Sequence, residues 1–272
     1  MSNIAIIQVS ERKLKNYVDI KTTINNTFTF AYRALLKTFY SEHDFMDITI
    51  MPVMFTLVFA FLFGGAISGG IANYLPIIIP GILIQTFLTS CSSAGVQLRE
   101  DMDKSTTNRF KSMPIAQIAP IAGILTADFV RFAIAGVITF AVGYIIGYRP
   151  EAGIWAVVFC ILFAMFIAWC LSWLFAFIGL SAKSASTAST LGFVIMLPLT
   201  FLSNAFVPTE TMPGWLRFFA EHINPLTKAI SAVRQMLTYG TVGSDFWFAL
   251  LGALVILILF VPLTLRRYMK KA

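Results

Sequence analysis

Asp128 and Arg131 stand three residues apart inside the apolar run Ala122–Gly147. An ionisable group is costly in hydrocarbon, and a carboxylate and a guanidinium at i and i+3 of a helix share a face and offset each other. The pair lies towards one end of its run, where an arginine also reaches headgroup phosphates. It reads as a structural tie to the neighbouring polar loop, with contact to a transported molecule as the alternative. Other side chains with chemistry to offer are sparse. Cys91, Cys160 and Cys170 all sit inside apolar runs, with neither metal-ligand spacing nor a disulfide framework. His43 and His222 do not read as part of a catalytic carboxylate-histidine cluster. No catalytic residue, no metal site and no cofactor is expected in this chain. Two polar stripes remain, Gln85, Thr89, Ser92 and Ser93 in one apolar run, and Thr187, Thr190, Thr200, Ser203 and Asn204 with Pro198 in another. Lipid offers no hydrogen bonds, so such stripes face partner helices or a water-filled path. Gln85, Thr89, Ser93, Thr200, Ser203 and Asn204 are therefore candidates for a translocation path, with helix packing as the alternative.

The elements that must carry these residues follow from composition. A chain of 272 residues with 58% hydrophobic and 12% charged residues and a mean hydropathy of +0.80 is not a soluble domain, in which charged residues make up about 25%. Apolar runs near the roughly 20 residues that cross a bilayer predict six spans: Ile48–Ile67, Pro76–Val96, Ala122–Gly147, Ile154–Leu180, Thr187–Ala205 and Phe246–Leu265. The first 26 residues are polar and do not read as a signal peptide, so the first span is expected to target the chain. The net charge of +7 does not point to nucleic acid, because the charges sit in the gaps between spans. Fifteen of the 20 Lys and Arg residues fall in the two tails, after span two or after span four. The positive-inside bias then predicts that both termini are cytoplasmic. This places His43 and His222 on opposite sides of the membrane, which argues further against a membrane-embedded enzyme.

Three polar segments have internal pattern. In Thr27–Asp44, residues Phe28, Tyr32, Leu35, Leu36 and Phe39 recur at helical spacing, as in a helix lying along the inner interface with Arg33 and Lys37 towards headgroups. The expected division is a tail 1–26, an interfacial helix 27–47, a transmembrane domain 48–265 and a tail 266–272. In Arg99–Ile115, Asp103 or Ser105 is placed to cap a short helix on which Phe110 and Met113 share a face, a docking element ending at Pro114. On the opposite side, Phe206–Thr227 carries Pro208, Pro213, Trp215, Asn224 and Pro225 between two spans.

RFKSMPIAQ (109–117), LTADFVRF (125–132), GYRP (147–150), FVPTETMPGWL (206–216) and NPLTKAISAVR (224–234) occur in an order and spacing that resemble the permease subunits of ABC-2 type exporters. The resemblance is in particular to the daunorubicin-resistance-like drug permeases, and it runs from about residue 30 to the end. The resemblance implies an all-α integral membrane permease of the bacterial plasma membrane that forms a homodimer and binds two copies of an ABC ATP-binding subunit. Asp103, Arg109, Phe110, Met113 and Pro114 would form the coupling helix. The chain has no G-x-x-x-x-G-K-[ST] phosphate loop, so ATP and Mg would be held by the partner subunit. Phe206–Thr227 would be an extracellular re-entrant hairpin with a helix starting near Pro213 and a break at Asn224-Pro225, with Trp215 in the headgroup zone. Glu210, Glu221 and His222 are read as solvated or capping groups, with an exit gate or proton-sensitive site as the alternative.

The favoured cargo is a hydrophobic or amphipathic compound, such as a drug, antibiotic or lipid-like molecule. A lipid-linked polysaccharide or teichoic-acid exporter is the runner-up and would show a wide path lined by aromatic residues. An ion-gradient-driven secondary transporter would show midplane charges and inverted repeats, and neither is found.

Overall fold

The computed structural model describes residues 20–103 and 118–271. Among these the chain is helical, with no strand. In chain order the helices are α1 Ile20–Tyr40, α2 Glu42–Ser68, α3 Ile71–Asp103, α4 Ala119–Ile146, α5 Gly153–Ser181, α6 Ala185–Phe201, α7 Gly214–Phe218, α8 Pro225–Tyr239 and α9 Ser244–Lys271. Five of them, α2, α3, α4, α5 and α9, are long and apolar enough to cross a membrane, while α6 has 17 residues and is shorter.

Burial separates these helices by role. In the most apolar window of α3, 72% of residues are buried, against 28% in α2 and 17% in α9. Helix α3 is thus the axis of the bundle, with α2, α4, α5 and α6 packed around it. Glycine allows the closest crossings. A β-carbon on Gly95 of α3 would run into the Phe175 carbonyl of α5, and one on Gly179 into the Gly95 carbonyl. Apolar attraction between helices is weak in lipid, and such close backbone contact restores dispersion energy. Phe87 and Phe132 pack in a tilted pair across α3 and α4 with centroids 5.0 Å apart.

The structure corrects the expected interfacial helix 27–47. Helix α1 runs from Ile20, the first described residue, to Tyr40, and Ser41 caps α2 by accepting a bond from the Asp44 amide at 3.4 Å. Residues 42–47 therefore belong to the first long apolar helix. Lys37 Nζ lies 2.9 Å from Glu100 Oε2 and Arg33 lies 3.7 Å from Asp101, both on α3, so two carboxylates of the fold engage the basic face of α1. Small residues Ala31 and Ala34 face inward, and Gly123 of α4 sits directly against Phe30. Phe28, Tyr32 and Phe39 stay exposed on the other face, as the periodicity predicts.

The apolar run Thr187–Ala205 is not one helix to its end. It starts two residues earlier, at Ala185 behind the cap Ser184, and unwinds after Phe201. Between Leu202 and Pro208 the backbone is irregular before a short 3-10 turn at Thr209–Thr211.

Candidate functional site

Asp128 and Arg131 meet as the i,i+3 spacing requires, with Arg131 Nη1 3.1 Å from Asp128 Oδ1. They are 0% and 3% exposed, and their partners come from three other helices. Arg131 Nη2 donates to Gln97 Oε1 of α3 at 3.1 Å and to the Thr38 hydroxyl of α1. Ser172 of α5 donates to Asp128 Oδ2 at 3.2 Å. The pair thus joins four helices at the end of the bundle where α3 finishes. Buried ions are tolerated when hydrogen bonds satisfy their remaining capacity, and here the carboxylate is met by the arginine and by the Ser172 hydroxyl.

The two polar stripes face each other. Thr200 of α6 bonds Gln85 of α3, and Thr89 lies 3.7 Å from Met196 Sδ. Gln85, Thr200, Ser203 and Asn204 are buried between helices. Thr89 and Ser93 instead line a cleft of about 470 Å³ between the α1–α2 junction, α3 and α6, together with Ser92, Phe193, Met196, Asp44 and Asp47. The six path candidates therefore divide into four at a helix contact and two at an open cleft. Asp44 and Asp47 were not singled out in the sequence. Their i,i+3 spacing at the head of an apolar run was the available signal.

At the opposite end of α3, the unwound tail of α6 is held by side chains. Asn224 Nδ2 donates to the carbonyls of Leu199 at 2.7 Å and Leu202 at 2.8 Å, while its Oδ1 caps α8 at the Leu226 amide. Tyr74 donates to the Phe206 carbonyl at 2.8 Å. Arg234 Nη2 donates to Asn204 O at 3.0 Å and to Ile77 O at 3.1 Å, close to the proline-interrupted turns of α3 at Pro76 and Pro80. The Asn204 side chain donates to Ser231 Oγ at 2.8 Å. Asn224, Ser231 and Arg234 follow helical spacing, and from this face Asn224 and Arg234 donate to carbonyls that the tail of α6 leaves open while Ser231 accepts from Asn204. Desolvation pulls the Arg234 guanidinium below its ordinary pKa, with Glu210 opposing, and burial pushes the Tyr148 phenol nearby upward.

The break at Asn224-Pro225 lies where the sequence predicts it, and α7 starts at Gly214 directly after Pro213. Trp215 is exposed, and Pro208 precedes the 3-10 turn. The 15-residue α8 was missed, although Asn at the cap, Pro at the first position and apolar residues 226, 229, 230, 233 and 237 spell it out. Glu221 is bonded by Arg217 Nε at 2.8 Å, and this bond, with a second from Thr209, draws its carboxyl pKa below the usual range. His222 stacks on Phe218 with centroids 4.8 Å apart.

Of the docking residues, Asp103 is the last described residue of α3, where Arg99 Nη2 donates to its Oδ1 at 2.6 Å. Arg109, Phe110, Met113 and Pro114 lie outside the described residues. The described residues contain no cluster of three or more metal-ligating side chains.

The family profile described as ABC-2 type transporter matches residues 26–238. The chain is 33% identical over 253 residues to the daunorubicin resistance ABC transporter permease protein DrrB1 of Streptomyces coeruleorubidus, covering 92% of this chain and 88% of that one. It is 27% identical over 205 residues to the putative transport permease ycf38 of Cyanophora paradoxa, covering 71% and 67%. It is 20% identical over 200 residues to the probable doxorubicin resistance ABC transporter permease protein DrrC of Mycobacterium tuberculosis, covering 72% and 70%. With five apolar helices long enough to span a bilayer and a match across most of its length, this chain is a multi-pass membrane permease of the ABC-2 type transporter family.

Proposed function

We propose that this permease is the membrane half of an ATP-driven exporter for a hydrophobic or amphipathic compound. The observation that carries this reading is the likeness over 92% of the chain to a permease named for daunorubicin resistance. ATP and Mg belong to a separate ABC ATP-binding subunit, two copies of which serve a homodimer of this chain. Both termini and the Glu100 end of α3 lie in the cytoplasm of a bacterial cell. Helix α6 and its unwound tail make the sixth crossing, and the segment from Pro208 to Pro225 forms a re-entrant cap at the outer end.

In this reading the ATPase grips Asp103–Pro114, which leads directly out of α3. Force on that segment reaches α1 through Lys37–Glu100 and Arg33–Asp101, and reaches α4 and α5 through Gln97, Arg131, Asp128 and Ser172. ATP would bias two arrangements of the bundle by binding one of them better. Against the polymer alternative, the cleft has Phe193 as its aromatic lining residue among those described, whereas a sugar path calls for several.

The test is to co-express the chain with a candidate ABC ATP-binding subunit, ask whether they copurify, and measure ATP hydrolysis with and without candidate drugs. Phe110→Asp is expected to abolish drug-stimulated hydrolysis. Intact complex formation and transport in that variant would remove Phe110 from the docking surface. Uphill transport by the permease alone in liposomes would overturn the whole reading.

A further inference from the structure

Among the five long apolar helices α9 is the least buried by its neighbours, and its last turns change from apolar to basic. Leu251, Val255, Leu259, Arg266 and Lys270 fall on one face at about 3.6 residues per turn, and all of them are exposed. Thr264 and Tyr268 on the opposite side are buried, and the Thr264 hydroxyl donates to the Trp173 carbonyl of α5 at 3.2 Å. These anchors fix which face of the last turns looks outward.

Helices α5 and α9 run parallel, since Phe163 packs on Phe246 with ring centroids 4.5 Å apart and Phe177 on Phe260 at 5.8 Å. The same register brings the exposed Lys183, just past the end of α5, to the level of Arg266. Arg99 donates to the Lys183 carbonyl at 2.8 Å, so α3 finishes at this end as well. Its carboxylates are engaged elsewhere, Glu100 by Lys37, Asp101 by Arg33 and Asp103 by Arg99. No Asp or Glu follows Asp245 in the sequence. Arg266, Arg267, Lys270 and Lys183 form no ion pair with a described residue.

Exposed cations at the end of a lipid-facing helix attract anionic headgroups. Length separates a lipid from a free anion. From Val255 to Arg266 the helix rises about 16 Å at 1.5 Å per residue, close to half of a hydrocarbon core of about 30 Å. An acyl chain laid along this face therefore ends near Val255 when its phosphate sits at Arg266.

We propose that the end of α9 binds an anionic phospholipid in preference to a zwitterionic one. Arg266 and Lys270 donate to the phosphate, Arg267 and Lys183 add positive charge beside them, and the face from Val255 to Leu259 carries a chain. A zwitterionic lipid offers the same phosphate but brings a cation of its own into the cluster. With the cytoplasmic placement proposed above, the lipid belongs to the inner leaflet. Its binding depends neither on cargo nor on ATP.

Dioleoyl phosphatidylglycerol and dioleoyl phosphatidylcholine share their chains and differ in net charge. Each is added to the full-length chain in an uncharged detergent, and bound copies are counted by native mass spectrometry. The glycerol lipid is expected to bind about tenfold more tightly or better. Arg266→Gln combined with Lys270→Gln is expected to weaken it about 25-fold, or about fivefold for each charge removed, and to leave the choline lipid unchanged. Arg266→Lys keeps the charge and is expected to keep the preference, which separates lost charge from lost fold. Lys228→Gln at the opposite end, where Lys228 is bonded to Asp245, should change neither lipid. Equal binding of the two lipids by the unaltered chain overturns the proposal, as does a preference that survives the double variant. Displacement of the glycerol lipid by millimolar inorganic phosphate makes this a site for a free anion and also overturns it. If the double variant keeps its lipid preference but no longer copurifies with a candidate ABC ATP-binding subunit, the patch belongs to that subunit instead.

Discussion

The four-helix setting of Asp128 and Arg131 determines how they respond to substitution. Asp128→Asn leaves the arginine buried against Gln97 and Thr38 without its counter-charge, which costs about 3–5 kcal/mol when a buried pair loses one member. Adding Arg131→Met removes the orphan charge, so the double variant is expected to be more stable than Asp128→Asn alone. Thermal denaturation in detergent measures both, and a double variant that is the less stable would sink the argument. The sequence showed the pair because i and i+3 are local. Thr38, Gln97 and Ser172 were invisible because they lie 93, 34 and 44 residues away from the groups they bond. At the opposite end, Glu221 has a folded pKa below the ordinary carboxylate value of about 4.3. Its bond to Arg217 is therefore fully present above that ordinary value and is lost only as pH falls through the lower folded one. Glu221→Gln should leave the pH profile of ATP hydrolysis unchanged from pH 5 to 8, and a displaced acid limb within that window would restore a proton-sensing role.

Helix α6 shows what an apolar run conceals. Hydropathy continues past Phe201, so reading by composition carries the helix to Ala205, whereas the backbone unwinds where Asn224, Tyr74 and Arg234 accept the task of meeting its carbonyls. These donors come from other elements and leave no mark in the run itself. Asn224 serves twice, as the cap of α8 and as donor to Leu199 and Leu202, and the two roles separate by substitution. Asn224→Asp keeps the capping oxygen but loses the amide donor. It is expected to destabilise the α6 tail by about 1–3 kcal/mol for each buried carbonyl left open, close to the effect of Asn224→Ala despite the retained cap. Hydrogen exchange at residues 199–207 is the measurement, and native-like protection in the Asp variant would rule out the clasp. Helix α8 escaped the sequence reading because its moderate apolar content looked polar beside the spans. The break at Ser41 was hidden in the same way, since the amphipathic pattern of α1 passes without interruption into the first turn of α2.

At the scale of the whole chain, apolar run length predicted six spans, of which five are helices long and apolar enough to cross while α6 has 17 residues; run length is a local property, and the expected sidedness rests on an additive count of positive charge. The cleft was not legible, because it depends on where α2, α3 and α6 leave space between them. The orientation is open to a direct check. Cys91, Cys160 and Cys170 are buried, so cysteines introduced at Ser186 and Thr241 report against a quiet background. A membrane-impermeant maleimide applied to intact cells is expected to label Thr241→Cys and spare Ser186→Cys until the cells are opened, and the reverse order would invert the topology.

Helix α3 runs 33 residues from Ile71 to Asp103, about 50 Å at 1.5 Å per residue, which exceeds a hydrocarbon core of about 30 Å. Its prolines lie within three turns of the Ile71 end, and beyond Pro80 the rod has no proline hinge. Beyond Pro80 a stiff shaft of this kind turns as one body, so spin labels at Thr89 and Asp103 ought to report one rotation with a single time constant.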